Sequence, residues 1–198
     1  MKKIMLVIFV VCSLALVTAP AFAVSLSLLP ANQVLNVGDT ALVDLVVSGL
    51  GDFAGPSLAA FSVDISYDST ILSFVDAMYP NFLGIPGPEA FAMTTTILFP
   101  PSVNLLEISS LFADQLDALQ PSSFTLASLS FTLMALESSV INIQNPDLSD
   151  AYGFSFEGVT TTGASVSPVP EPATMLLLGT GLAGLAGLGR KKLFKKQA

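Results

Sequence analysis

The chain contains no histidine and no tryptophan, one cysteine, and no lysine or arginine between residues 4 and 189. Its seven basic residues are Lys2 and Lys3 at the start and Arg190, Lys191, Lys192, Lys195 and Lys196 at the close, whereas all fifteen acids fall between Asp39 and Glu171. These absences exclude most nucleophile–base pairs, His/Cys metal sites and phosphate clamps from the middle of the chain. An acidic segment with no compensating base repels nucleic acid and anionic membranes. With no Trp, and only Tyr67, Tyr79 and Tyr152 as tyrosines, few residues remain for a flat aromatic platform.

The confinement of base to the two ends reads as membrane topology, because basic residues flanking apolar stretches stay in the cytoplasm. Lys2-Lys3, the apolar run Ile4 to Val17 and Ala21-Phe22-Ala23 form the three-part layout of a cleavable signal peptide over residues 1–23. The small residues Ala21 and Ala23 place cleavage before Val24, and an uncleaved anchor would need a run of about 20 apolar residues. The one cysteine, Cys12, lies in the apolar run, so the mature chain has no disulfide and its stability must come from a core.

At the other end, residues 173–189 read ATMLLLGTGLAGLAGLG and are followed by RKKLFKK. Seventeen residues at about 1.5 Å each give roughly 25 Å, the lower limit for a transmembrane helix. The basic tail over 190–196 would hold its end in the cytoplasm. Its glycines either admit a close-packed neighbouring helix or weaken a disposable one. Before it stands Val169-Pro170-Glu171-Pro172, where two prolines remove backbone donors and favour an extended, accessible peptide. The order Pro-Glu-Pro, apolar helix, basic cluster over 170–198 resembles the PEP-CTERM sorting signal of exopolysaccharide-producing Gram-negative bacteria. The resemblance implies export through the translocon, transient residence in the inner membrane and cleavage by an exosortase. The chain is then a substrate delivered to the cell surface or extracellular matrix.

What remains, residues 24–162, is the length of one domain, and its composition favours β structure. Phe61, Val63, Ile65 and Tyr67 alternate with Ser62, Asp64, Ser66 and Asp68, and Leu129, Phe131 and Leu133 with Ser128, Ser130 and Thr132. Ile141 and Ile143 alternate with Asn142 and Gln144. Further strands are expected over Ser25 to Leu29, Thr40 to Val47, Ile71 to Val75, Phe91 to Phe99, Asn104 to Phe112 and Tyr152 to Thr160, separated by Gly, Pro and Asp turns. Ala113 to Leu119 reads as a short helix with Leu116 and Leu119 inward. About nine strands so spaced predict an all-β fold, a single antiparallel β-sandwich. Residues 163–169, within a Thr/Gly/Ser/Pro stretch, read as a linker, and Thr160 to Ser167 as flexible chain or a glycosylated stalk.

Val37-Gly38-Asp39 before the Thr40 strand, AFSVDISYDSTIL from Ala60 to Leu72, LASLSFTL from Leu126 to Leu133 and the closing Asp150-Ala151-Tyr152-Gly153 together resemble the cohesin-type jelly roll and its carbohydrate-binding superfamily. Cohesins of cellulose-degrading assemblies dock a partner module and carbohydrate-binding relatives use flat aromatic platforms; for this single domain with a sorting tail the resemblance implies the fold, and dockerin capture is not carried over. Tyr67-Asp68 reads as a strand end closed by a side-chain-capped turn.

Only carboxylate chemistry survives the composition; Asp64, Asp114, Asp117 and Glu137 are candidates, but they are scattered, the sequence brings no pair of them together across a cleft, and with no motif present no enzyme activity is expected. Asp147, Asp150 and the Tyr152-Gly153 backbone offer oxygens for a loosely held Ca²⁺ but lack EF-hand spacing, so no obligatory metal or cofactor is expected. The combined reading is an exported surface or matrix protein with a structural or adhesive role in exopolysaccharide. The alternative is a module that binds a matrix polysaccharide directly.

Overall fold

A computed structural model describes residues 23–85, 92–170 and 177–185. Among them, eleven strands form two sheets. We number these β1 (Ser25–Leu29), β2 (Asn32–Leu35), β3 (Thr40–Ser48), β4 (Leu58–Ser66), β5 (Leu72–Met78), β6 (Ala92–Phe99), β7 (Ser102–Ser109), β8 (Ser123–Leu133), β9 (Ser139–Asp150), β10 (Thr160–Thr162) and β11 (Ala164–Pro168). One sheet runs β10-β1-β3-β8-β5 and the other β2-β11-β9-β4-β7-β6. A 3₁₀ turn at Asn81–Leu83 and one helix, α1 (Ala113–Leu119), complete the domain.

Period-two alternation builds the core. Val43, Leu45 and Val47 of β3, Phe61, Val63 and Ile65 of β4, and Leu129, Phe131 and Leu133 of β8 are all buried between the sheets. Phe131 is fully buried and meets Tyr67 and Phe74 edge-on, with ring centroids 5.1 and 5.6 Å away. The result is the expected β-sandwich, with two additions: β1 pairs with β10, and β11 with β2, in parallel.

The C-terminal part of the domain differs from the sequence reading. Residues 163–169 are not a linker: β11 lies between β2 and β9, with Ala164 and Val166 buried, and the Val169 N–H donates to Leu35 O at 2.8 Å. The Ala164/Val166 alternation supplies a core-facing edge that composition alone conceals. Tyr152 to Thr160 is not one strand. The Asp150 carboxylate accepts the Tyr152 and Phe154 N–H groups at 2.9 and 2.8 Å, Gly153 and Gly158 adopt positive φ, and only Ser155 bridges back, to Ser149.

The helix forms where expected and buries Leu116, but Leu119 is exposed. The inward place after the last turn is taken by Gln120, which bonds β4. Residues 177–185 are helical, with Leu177, Leu178, Leu182 and Leu185 exposed. Among the described residues, no helix is long and apolar enough to cross a membrane. The rest of the expected span and the basic tail, Arg190 to Lys196, lie outside them, as do Ala21, Glu171 and Pro172.

The registers define two ends. Leu35, Ser66, Ser102, Leu133 and Pro168 lie at the end where the chain leaves; Ser48, Leu58, Ser109, Ser123 and Asp150 lie at the far end.

Candidate functional site

The outer face of the six-stranded sheet gathers the most organised polar surface. Asp64 of β4 stands opposite Asn104 of β7, and β9 bulges beside it between the pairs Ser62–Asp147 and Asp64–Gln144. The bulge sets Asn145 at φ 48° and aims its amide across the sheet. The Asp64 carboxylate thus accepts Nδ2–H bonds from Asn145 at 2.8 Å and Asn104 at 2.9 Å. These two donors, Asn145 first, hold the Asp64 carboxyl below its ordinary range. Two amides fixing one ionised acid make a rigid acceptor patch spanning three strands. Toward β6 the same face turns apolar, with Met93, Ile97 and Ile108 exposed.

None of the other carboxylates singled out by sequence joins Asp64. Asp114 and Asp117 ride on α1 at the far end, while Glu137 lies in the β8–β9 loop at the exit end. Asp150 spends its carboxylate on its own turn, and among the described residues no group of three or more His, Cys, Asp or Glu is placed to hold a metal. Tyr67 and Asp68 close β4 as the sequence indicated. The Asp68 carboxylate accepts from the Thr70 hydroxyl at 2.6 Å and the Thr70 N–H at 2.9 Å, which lowers its pKa. A shallow cleft of about 470 Å³ opens there between Ser66–Ser69, Pro101, Val140 and Asn142. Tyr67 lines this cleft while being almost wholly buried in the core.

At the far end the capped β9 turn presents Tyr152 and Phe154, 77 % and 72 % exposed. Tyr79 is turned inward, its hydroxyl bonded to Thr95 O and Thr96 Oγ1.

Glu107 escaped the sequence reading. It shares its side of β7 with Val103 and Leu105, so the strand drives it into the core, fully buried, where neither carboxylate oxygen has a hydrogen-bond partner. Loss of hydration pushes its pKa up to about 8. The V-x-L-x-E alternation over Val103 to Glu107 carried the signal.

Residues 168–191 match the PEP-CTERM protein-sorting motif, which includes Pro170. The sandwich superposes on solved cohesins. These include the Clostridium acetobutylicum cohesin CaCohA2 in its complex with CaDoc0917 (17 % identity, TM-score 0.57, covering 74 % of this chain and 99 % of that one). A type I cohesin–dockerin complex from Clostridium thermocellum matches at 10 % identity and TM-score 0.58, covering 74 % and 99 %. A non-cellulosomal cohesin from Archaeoglobus fulgidus matches at 12 % and 0.55, covering 77 % and 95 %. No curated protein sequence matches the chain. The chain therefore combines a cohesin-like β-sandwich with a PEP-CTERM sorting motif.

Proposed function

We propose that this is an exported surface protein, anchored briefly through its C-terminal helix, cut by an exosortase near Pro170-Glu171-Pro172 and retained in an exopolysaccharide matrix as a structural or adhesive component. The observation that carries the reading is the direct joining of sorting motif to fold. β11 ends at Pro168, Val169 is bonded to Leu35, and the motif begins on the same residues. The folded sandwich thus runs directly into the matched motif. The two prolines of Pro170-Glu171-Pro172 disfavour helix, and backbone without helical pairing is what proteases bind.

The outer face of the six-stranded sheet is the surface that would engage a partner. Its Asp64–Asn104–Asn145 centre offers fixed acceptors and its β6 margin offers apolar area, the combination found at specific protein interfaces. The solved cohesin neighbours include dockerin complexes, which supports protein recognition by this fold. Fractionation of cells producing the wild-type chain and an Asp64→Lys variant tests the reading: the wild type should stay with the matrix and the variant should wash into the medium. Equal retention of both would argue against this face.

A second reading rests on Tyr152 and Phe154. Two exposed aromatics on a rigid turn suit the face of a sugar ring. Glycan-array binding lost in Tyr152→Ala and kept in Asp64→Lys would favour a carbohydrate-binding module.

A further inference from the structure

The two sheets have four edge strands among the described residues, and three of them are blunted. β10 is three residues long, β2 is four, and β5 is broken by a register shift between Phe74 and Asp76 and carries the charge of Asp76. Short strands, bulges and charges are the devices by which native sheets prevent edge-to-edge pairing. β6 has none of them. Its eight residues, AMTTTILF, contain no charge, Pro or Gly, and every one pairs with β7 in unbroken register. No described residue pairs with its far side. In a domain with fourteen acids between Asp39 and Glu157, an eight-residue edge free of charge stands out as an unprotected template.

We propose that β6 is a homotypic adhesion edge, at which two copies of this chain pair antiparallel and join their six-stranded sheets into one; this deepens the adhesive reading above and rests on it. The sequence of the strand favours a second copy as the occupant. A two-fold axis perpendicular to the sheet keeps outer residues outer, so facing residues share parity. With Thr95 on the axis, Met93 of each copy faces Ile97 of the other on the outer side. Thr94 faces Thr96, and Ala92 faces Leu98, on the inner side. Met93, Ile97 and Leu98 are 57 %, 41 % and 47 % exposed in the single chain, and this register covers all three. Apolar residues meet apolar, threonine meets threonine, and no like charges are opposed. A foreign basic strand would find no acid on β6 to recognise.

The pairing fixes the geometry of adhesion. β6 runs from the far end, where Ala92 faces Ser109, to the exit end, where Phe99 faces Ser102. The antiparallel partner runs the other way. The two Pro168 exits therefore lie at opposite ends of the joined sheet, so the contact links molecules held on facing surfaces.

Thr95→Cys in a Cys12→Ser background of the full chain tests the contact, because no other thiol remains. The proposal predicts an oxidised dimer on non-reducing gels, at least about tenfold more abundant than from Thr161→Cys on the β10 edge. Vesicles carrying the reduced full chain should cluster, and clustering should be lost in Leu98→Lys, an exposed change on the inner side of the edge that leaves both the core and the Asp64 face intact. Absence of a dimer from Thr95→Cys, or an equal amount from Thr161→Cys, overturns the edge contact while leaving adhesion through the Asp64 face untouched. A Thr95→Cys dimer without vesicle clustering supports the edge contact and contradicts the facing-surface geometry.

Discussion

Gln120 bonds Leu58 twice: its Oε1 accepts the Leu58 N–H at 2.8 Å and its Nε2 donates to Leu58 O at 2.7 Å. A third bond, from Nε2 to Phe82 O at 3.0 Å, ties the end of α1 to the 3₁₀ turn as well. Gln120 is 1 % exposed, so its truncation leaves the first residue of β4 with a buried donor and acceptor unpaired. Gln120→Ala should cost about 2–4 kcal/mol in urea unfolding, since each orphaned buried group costs about 1–3. A loss under about 0.5 kcal/mol would mean that water replaces the side chain.

Glu107 makes stability fall as pH rises. Its folded pKa of about 8 lies above the ordinary 4.5, so between these values the unfolded chain releases a proton that the folded chain keeps. This burden is absent below about pH 4.5, grows through neutrality and levels off above pH 8. Glu107→Gln, neutral throughout, should leave stability near pH 4.5 little changed and raise it at pH 8 by a few kcal/mol, on the order of 3. Parallel pH–stability curves for the two proteins would contradict the burial of this acid.

Asp64 acts with the opposite sign. Its pKa is lowered by Asn145 and Asn104, so its contribution is present above the ordinary carboxylate pKa and is lost as pH falls through the lower folded value. Asn145→Ala should destabilise the domain at pH 7 by about 1 kcal/mol or less, given solvent screening. The difference should shrink in acid. A pH-independent loss would assign the effect to the β9 bulge rather than to the carboxylate.

Gly163 is required by space. It stands where the chain passes from β10 in one sheet to β11 in the other, and a β-carbon there would run into the Ile141 carbonyl oxygen. Gly163→Ala should cost about 1–3 kcal/mol in thermal or urea unfolding. A neutral result would mean that the crossing is loose and that β11 contributes little.

That glycine also shows where sequence reading reached its limit. Alternation exposed β4 and β8 because each buries one continuous apolar face, as Phe61, Val63 and Ile65 do. β11 shows only Ala164 and Val166 amid Ser, Thr, Gly and Pro, a composition shared with linkers, and its partners β2 and β9 are remote in sequence. Asp64 was visible as a carboxylate on the polar side of its strand. Its pairing with Asn145 depends on a bulge between β4 and β9, a long-range register that local pattern does not encode. Glu107 was legible by parity but passed over because a buried, unpaired acid runs against composition rules.

The central claim, that the sandwich is released to the surface by cutting at the motif fused to its last strand, is tested most directly by intact mass spectrometry. The protein would be extracted from the surface of its native cell with and without a functional exosortase. The account predicts a chain beginning at Val24 and losing the residues beyond Pro170-Glu171-Pro172, with the C-terminal loss dependent on the exosortase. A chain that retains its tail through Ala198 in both cells would contradict it.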